Sequence, residues 1–218
     1  MLLQQNDKLV MLGDSVTDCG RLMPVGEGVP GQLPFGNGYV NVVQGLLGAW
    51  YPQQRIRVVN MGVSGNQTRD VIARWKTDVE DQHPDWLSIL IGVNDVWRIY
   101  DTPLMTELHV TVGEYEANMR WMLDRIRSRV KGLVLMTPYV INPDQTDPMR
   151  RTMDEFGAVC RSLAGEYDCQ FVDLQAEFDD ACRHLPPTYI SWDRIHPTFM
   201  GHCLIARAFL RAVEVRLE

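Results

Sequence analysis

Leu9-Val10-Met11-Leu12, running into Gly13-Asp14-Ser15, is the stretch from which the fold can be read. Four consecutive apolar residues suit a strand covered on both faces. The small residue after them lets the chain turn, and a hydroxyl is left at the strand's carboxyl edge. Similar short apolar runs recur at 56–60, 86–91, 133–136 and 171–174. Between them lie segments of helical period. Tyr115, Met119, Met122, Leu123, Ile126 and Val130 repeat every three or four residues, and Leu204, Ile205, Ala208, Phe209, Ala212 and Val213 form a second stripe opposite Arg207, Arg211 and Glu214. Both stripes read as core-facing helix surfaces. Strands alternating with helices imply right-handed βαβ units around a parallel sheet, an α/β protein.

The chain has 218 residues, enough for a full hydrophobic core without disulfide staples. No repeat, low-complexity block or linker divides it, so residues 1–218 are expected to form one domain. Apolar residues at 45% and charged residues at 22% exclude a disordered chain, a coiled coil and a collagen-like fibre. The charge balance is 21 basic against 28 acidic residues, a net of −7, with no basic run interleaved with aromatics, which argues against a nucleic-acid partner. Cys19, Cys160, Cys169, Cys182 and Cys203 are odd in number, scattered and never in a C-x-x-C pair. That pattern fits neither a disulfide framework nor a structural zinc site, and it fits a reducing cytoplasm. Polar Gln4, Gln5, Asn6, Asp7 and Lys8 stand where a signal peptide needs its apolar region. The expectation is a protein neither exported by that route nor embedded in a membrane.

In an open parallel sheet, ligands bind outside the carboxyl ends of the strands, so the segments leaving those ends hold the chemistry. The first run ends in Ser15. The second ends in Asn60-Met61-Gly62-Val63-Ser64-Gly65-Asn66, whose glycines allow a backbone N–H to approach a ligand, and the third in Gly92-Val93-Asn94-Asp95, which offers a side-chain amide. Near the C-terminus, Asp193-Arg194-Ile195-His196 precedes Pro197, which is placed to begin the last helix. A carboxylate three residues before an imidazole can curl back and hold one ring nitrogen, leaving the other as a base. Each motif alone also fits a cap or a turn. Together they supply a nucleophile, oxyanion donors, a base and its orienting carboxylate, the inventory of acyl transfer.

Two near-motifs compete. Gly62-Val63-Ser64-Gly65-Asn66 misses the G-x-S-x-G nucleophile elbow at Asn66. Gly26-Glu27-Gly28-Val29-Pro30-Gly31 matches G-x-G-x-x-G, but it lies beyond the first strand and carries Pro30 where a backbone donor is wanted. His83, His109, His184 and His202 have no metal-ligand spacing. The loops at 20–38, rich in glycine and proline, and 138–148 are longer than most connections and are candidate functional segments.

The four blocks, in this order and at these strand ends, resemble the SGNH hydrolase superfamily, the GDSL-type esterases. The resemblance implies a flavodoxin-like three-layer α/β/α sandwich with a five-stranded parallel sheet. It implies Ser15 as nucleophile, Asp193 and His196 as its triad partners, and an oxyanion hole made by the Ser15 and Gly65 N–H groups and the Asn94 side chain. Over nearly the whole chain, the extended blocks at 13–21, 58–66, 92–98, 147–154 and 192–196 are similar to those of bacterial xylan acetylesterases. That likeness implies deacetylation of xylo-oligosaccharides or related carbohydrates, without a metal or other cofactor, by a homo-oligomer. Trp97, Arg98, Tyr139 and Trp192, beside the motifs, and Asp14, next to the serine, are the candidate substrate-binding residues. Asp14 is expected also to support the turn. The rival readings are a lipid-directed esterase, lysophospholipase or thioesterase with the same catalytic parts, a carbohydrate-binding module with a relict site, and a nucleotide-binding protein using the glycines of the 20–38 loop.

Overall fold

A computed structural model describes residues 1–29 and 32–216. Pro30 and Gly31, the end of the G-x-G-x-x-G match, lie outside the described residues. Five parallel strands, β1 (Lys8–Gly13), β2 (Arg57–Gly62), β3 (Trp86–Leu90), β4 (Gly132–Met136) and β5 (Gln170–Val172), stand in the order β2-β1-β3-β4-β5. This order, which the apolar runs left open, puts the reversal of winding between β1 and β3, where doubly wound sheets open a ligand crevice.

The five strands fall on the five apolar runs, with ends that differ most at β2 and β5. β2 continues to Gly62 because Asn60, Met61 and Gly62 stay in register with Met11, Leu12 and Gly13. β5 stops at Val172 because Asp173 turns its carboxylate onto the Ala176 N–H and caps the next helix.

The helices are α1 (Ser15–Asp18), α2 (Tyr39–Trp50), α3 (Thr68–Asp78), α4 (Val93–Asp101), α5 (Val112–Ile126), α6 (Pro148–Glu166), α7 (Leu174–Cys182), α8 (Pro187–Ile190) and α9 (Phe199–Ala212). Strand side chains alternate between two cores. Val10 and Leu12 pack with Trp75, Tyr115 and Phe156 of α3, α5 and α6, whereas Leu9 and Met11 pack with Tyr39, Phe178 and Phe209 of α2, α7 and α9. The sheet is thus covered on both faces, and each fully buried Leu or Phe contributes about 1.5–3 kcal/mol. The periodic stripes expected of α5 and α9 face these cores. Pro197 does not open α9 as expected. It forms a bridge with Ser191, and the helix starts two residues later with Thr198 as its cap.

Candidate active site

Ser15 is the first residue of α1, a four-residue helix that leaves the end of β1 and packs against the end of β2. Gly62 makes that packing feasible, since a Cβ there would lie 2.2 Å from Asp18 N. The turn is tied down by residues the sequence did not single out. Asn60 Nδ2 donates to the carbonyls of Thr17 and Phe35 at 2.6 and 2.9 Å, and its Oδ1 accepts from Gly62 N. Arg74 Nη2 and Nη1 donate to the Gly13 and Met61 carbonyls at 2.9 Å each, joining the ends of β1 and β2. Arg21 Nε adds a bond of 2.6 Å to the Gly62 carbonyl. Asn60 had one visible sign, a polar residue at the end of an apolar run. The two arginines had none, because these carbonyl partners lie 13 to 61 residues away.

Ser15 Oγ lies 2.9 Å from His196 Nε2, and His196 Nδ1 lies 2.6 Å from Asp193 Oδ2. The other carboxylate oxygen, Oδ1, accepts from the backbone N–H groups of Ile195 and His196 at 2.9 and 2.7 Å. Burial pushes the Asp193 carboxyl upward, but the bonds from the His196 ring and from these two N–H groups outweigh it and hold it below the usual carboxylate range. An ionised carboxylate only accepts, so the imidazole carries its proton on Nδ1 and turns the Nε2 lone pair to the Ser15 hydroxyl. The loop bearing Asp193 and His196 rests on residues 138–147. Ile141 N donates to the Arg194 carbonyl at 2.8 Å, Tyr139 Oη to the Ile195 carbonyl at 3.2 Å, and Arg194 pairs with Asp147 at 3.2 Å.

The two other strand-end motifs meet each other. Gly65 takes φ +81°, a conformation open to glycine, and Asn94, buried at the start of α4, donates from Nδ2 to the carbonyl of the next residue, Asn66, at 3.0 Å. Asp95, also buried, accepts from the N–H and hydroxyl of Thr68, so α3 and α4 are clamped beside this contact. Ser64 faces away from any elbow. Its N–H and hydroxyl donate to Asp18 at 3.0 and 2.6 Å.

A cleft of about 490 Å³ opens beside Ser15 and His196, with Trp192, Phe199, Cys19 and Asn37 among its walls. Gly65 and Asn94 do not line it. The His196 ring is flanked by two indoles, Trp192 stacked at 5.6 Å with an interplanar angle of 10° and Trp97 edge-on at 5.6 Å. Two candidate substrate contacts need correction. Tyr139 is fully buried against Phe178, and Asp14 is fully buried beneath the nucleophile turn, so both support the site from within and cannot touch a ligand. Phe199 and His202, which the sequence left unassigned, line the cleft. His202 accepts from Tyr39 N on Nδ1 at 3.2 Å and faces Cys19 Sγ through Nε2 at 3.4 Å, and burial, then the nearby His196, lower its pKa to about 4. Among the described residues, no group of three or more His, Cys, Asp or Glu side chains converges to hold a metal ion.

Asp14 caps α1 by accepting from Val16 N at 3.0 Å, and its second oxygen has no partner among the described residues. Burial raises its carboxyl to about 7, with the Val16 N–H pulling the other way. A carboxyl raised in the folded state binds its proton more tightly there than in the unfolded chain. Its contribution to stability is therefore fully present below the unfolded value and lost as pH rises through the folded value of about 7. Asp14→Asn keeps an acceptor for Val16 N and cannot ionise. The Tm of this variant relative to the parent is expected to climb between about pH 4 and about pH 8, and an offset that stays constant across that window would contradict a buried neutral acid.

Residues 11–204 match the GDSL-like lipase/acylhydrolase family. An acetylxylan esterase from Geobacillus stearothermophilus is 52% identical over 213 residues, covering 98% of this chain and 96% of that one. The crystal structure of Axe2, an acetylxylan esterase from the same organism, superposes with a TM-score of 0.96 at 50% identity, with both chains fully covered. Catalytic mutants of Axe2 with a serine, an aspartate or a histidine replaced by alanine have also been solved. LAE5, an alpha/beta hydrolase enzyme from the metagenome of Lake Arreo, Spain, superposes with a TM-score of 0.97 at 43% identity, again over both full chains.

Proposed function

Because this chain belongs to the GDSL-like lipase/acylhydrolase family, we propose that it is a serine esterase that removes acetyl groups from acetylated xylo-oligosaccharides or related carbohydrates. The observation that carries this reading is the unbroken hydrogen-bonded chain from Ser15 through His196 to Asp193, in a protein so similar to an acetylxylan esterase.

In the proposed mechanism His196 Nε2 takes the Ser15 proton as Oγ attacks the ester carbonyl. The oxyanion is held by the Ser15 and Gly65 N–H groups and the Asn94 amide. His196 then protonates the departing sugar hydroxyl, leaving an acetyl-enzyme. Water attacks that ester with the same histidine as base, and Asp193 holds the ring and stabilises its charged form throughout. Trp192 and Trp97 offer flat aromatic faces with polar edges beside the imidazole, which suits a sugar ring.

We take residues 1–218 as one catalytic domain that acts in the cytoplasm as a homo-oligomer. The free state of all five cysteines favours a reducing compartment. Among the described residues no helix is long and apolar enough to cross a membrane. Light scattering of the purified protein tests the assembly.

The reading is tested with p-nitrophenyl acetate, butyrate and octanoate beside acetylated xylo-oligosaccharides. A steep fall in kcat/KM after the acetate ester, with acetate released from the saccharides, is the expected result. Rates that rise with chain length would move the protein to a lipase or thioesterase.

A further inference from the structure

The carboxamide of Asn94 is held at both ends. Nδ2 donates to the Asn66 carbonyl at 3.0 Å, and Oδ1 accepts from Arg98 Nη2 at 3.2 Å, one helical turn further along α4. A backbone carbonyl can only accept and a guanidinium can only donate, so these partners admit a single orientation of the amide. Arg98 is itself anchored. Its Nη1 pairs with Asp101, three residues on, and its guanidinium carbon lies 4.9 Å from the Trp97 ring centre. Asn94, Arg98 and Asp101 thus form one stripe along α4 at the i, i+4 and i, i+3 spacings that bring helical side chains together. Asn94 is only 2% exposed, so the contact is sheltered from solvent on the amide side.

We infer that Arg98 is a positioning residue for the oxyanion hole. It keeps the amide nitrogen of Asn94, and not its oxygen, turned toward the acyl site. Its positive charge on Oδ1 draws electron density away from Nδ2 and strengthens the remaining N–H as a donor to a developing oxyanion. Without the guanidinium, the amide keeps its bond to the Asn66 carbonyl but Oδ1 loses the Arg98 donor, so the group is held less firmly and Nδ2 donates more weakly to the oxyanion. Because a tetrahedral oxyanion forms in both acylation and deacylation, the contribution of Arg98 enters whichever step limits turnover. This assignment rests on the proposed role of Asn94 and differs from a direct contact between Arg98 and a sugar.

The experiment is a double-mutant cycle of Asn94→Ala and Arg98→Met, with kcat and KM measured on p-nitrophenyl acetate and on an acetylated xylo-oligosaccharide. Asn94→Ala is expected to lower kcat by about 10²–10³, and Arg98→Met by about 10-fold with KM nearly unchanged and the same factor on both esters. In the Asn94→Ala background, Arg98→Met is expected to cost nothing further. A KM increase confined to the saccharide, or a loss that persists in full without Asn94, would overturn the inference and make Arg98 a substrate contact or a scaffold residue. If Asn94→Ala alone keeps full activity, the proposed role of Asn94 fails, and that of Arg98 with it. Should Arg98→Met not melt cooperatively, Arg98→Lys replaces it in the cycle with an expected loss of about 3-fold, and the same two outcomes decide.

Discussion

Ser15→Ala is expected to lower kcat by about 10⁶-fold on every ester while leaving Tm nearly unchanged. The asymmetry follows from what the side chain touches. Ser15 Oγ contacts His196 Nε2, whereas α1 is capped by Asp14 through Val16 N and held by Asn60 through the Thr17 carbonyl, neither of which the substitution touches. Removing the hydroxyl therefore takes away the attacking atom and little else. Hydrolysis of p-nitrophenyl acetate with a thermal melt checks both halves of the expectation. Trapping with a slow ester adds a third reading, since the parent should gain the mass of one acetyl group and the variant should not. Turnover by Ser15→Ala within tenfold of the parent would remove Ser15 from the chemistry and refute the proposed mechanism.

Asp193→Asn is expected to lower kcat by about 10⁴-fold near neutral pH, with a smaller effect on stability than Asp193→Ala. The local turn explains why an isosteric change should be so costly. Oδ1 of Asp193 accepts from Ile195 N and His196 N, two donors that cannot face an amide NH₂. The asparagine oxygen is thus held by the backbone, and its NH₂ group is forced against His196 Nδ1. The ring must then accept on Nδ1 and carry its proton on Nε2, so that it offers a hydrogen to Ser15 instead of removing one. Asp193→Ala loses the turn as well as the orienter and should be less stable than Asp193→Asn at comparable activity. The discriminating measurement is the downfield proton resonance of the His196 Nδ1–H, present in the parent and absent in Asp193→Asn. An active Asp193→Asn enzyme would show that His196 does not need this partner.

The sequence was most legible where chemistry sits at the end of an apolar run. Val10 and Leu12 had to be buried whatever lay beside them, so the strand and the position of Ser15 at its edge followed from local pattern. The i, i+3 spacing of Asp193 and His196 gave a carboxylate and a ring that meet at 2.6 Å through a turn of their own backbone. Other features were illegible because their causes are not local. Tyr139 was set beside the site by its neighbours in sequence, but packing on Phe178 buries it and leaves its hydroxyl to hold the Ile195 carbonyl. Pro197 had the right chemistry to start α9, yet the bridge it makes with Ser191 delays the helix to Phe199.

What the sequence determined by itself is the alternation of strands and helices and the candidate side chains at the strand ends, because hydrophobic period and short-range spacing are properties of adjacent residues. Only the tertiary structure decided the order β2-β1-β3-β4-β5, the clamp of Arg74 on the ends of β1 and β2, and the orientation of the Asn94 amide between Asn66 and Arg98. The strand order and the Arg74 clamp depend on which distant groups the packed sheet brings within about 3 Å, and a hydrogen bond has no strength, and no direction, until its partner is in place.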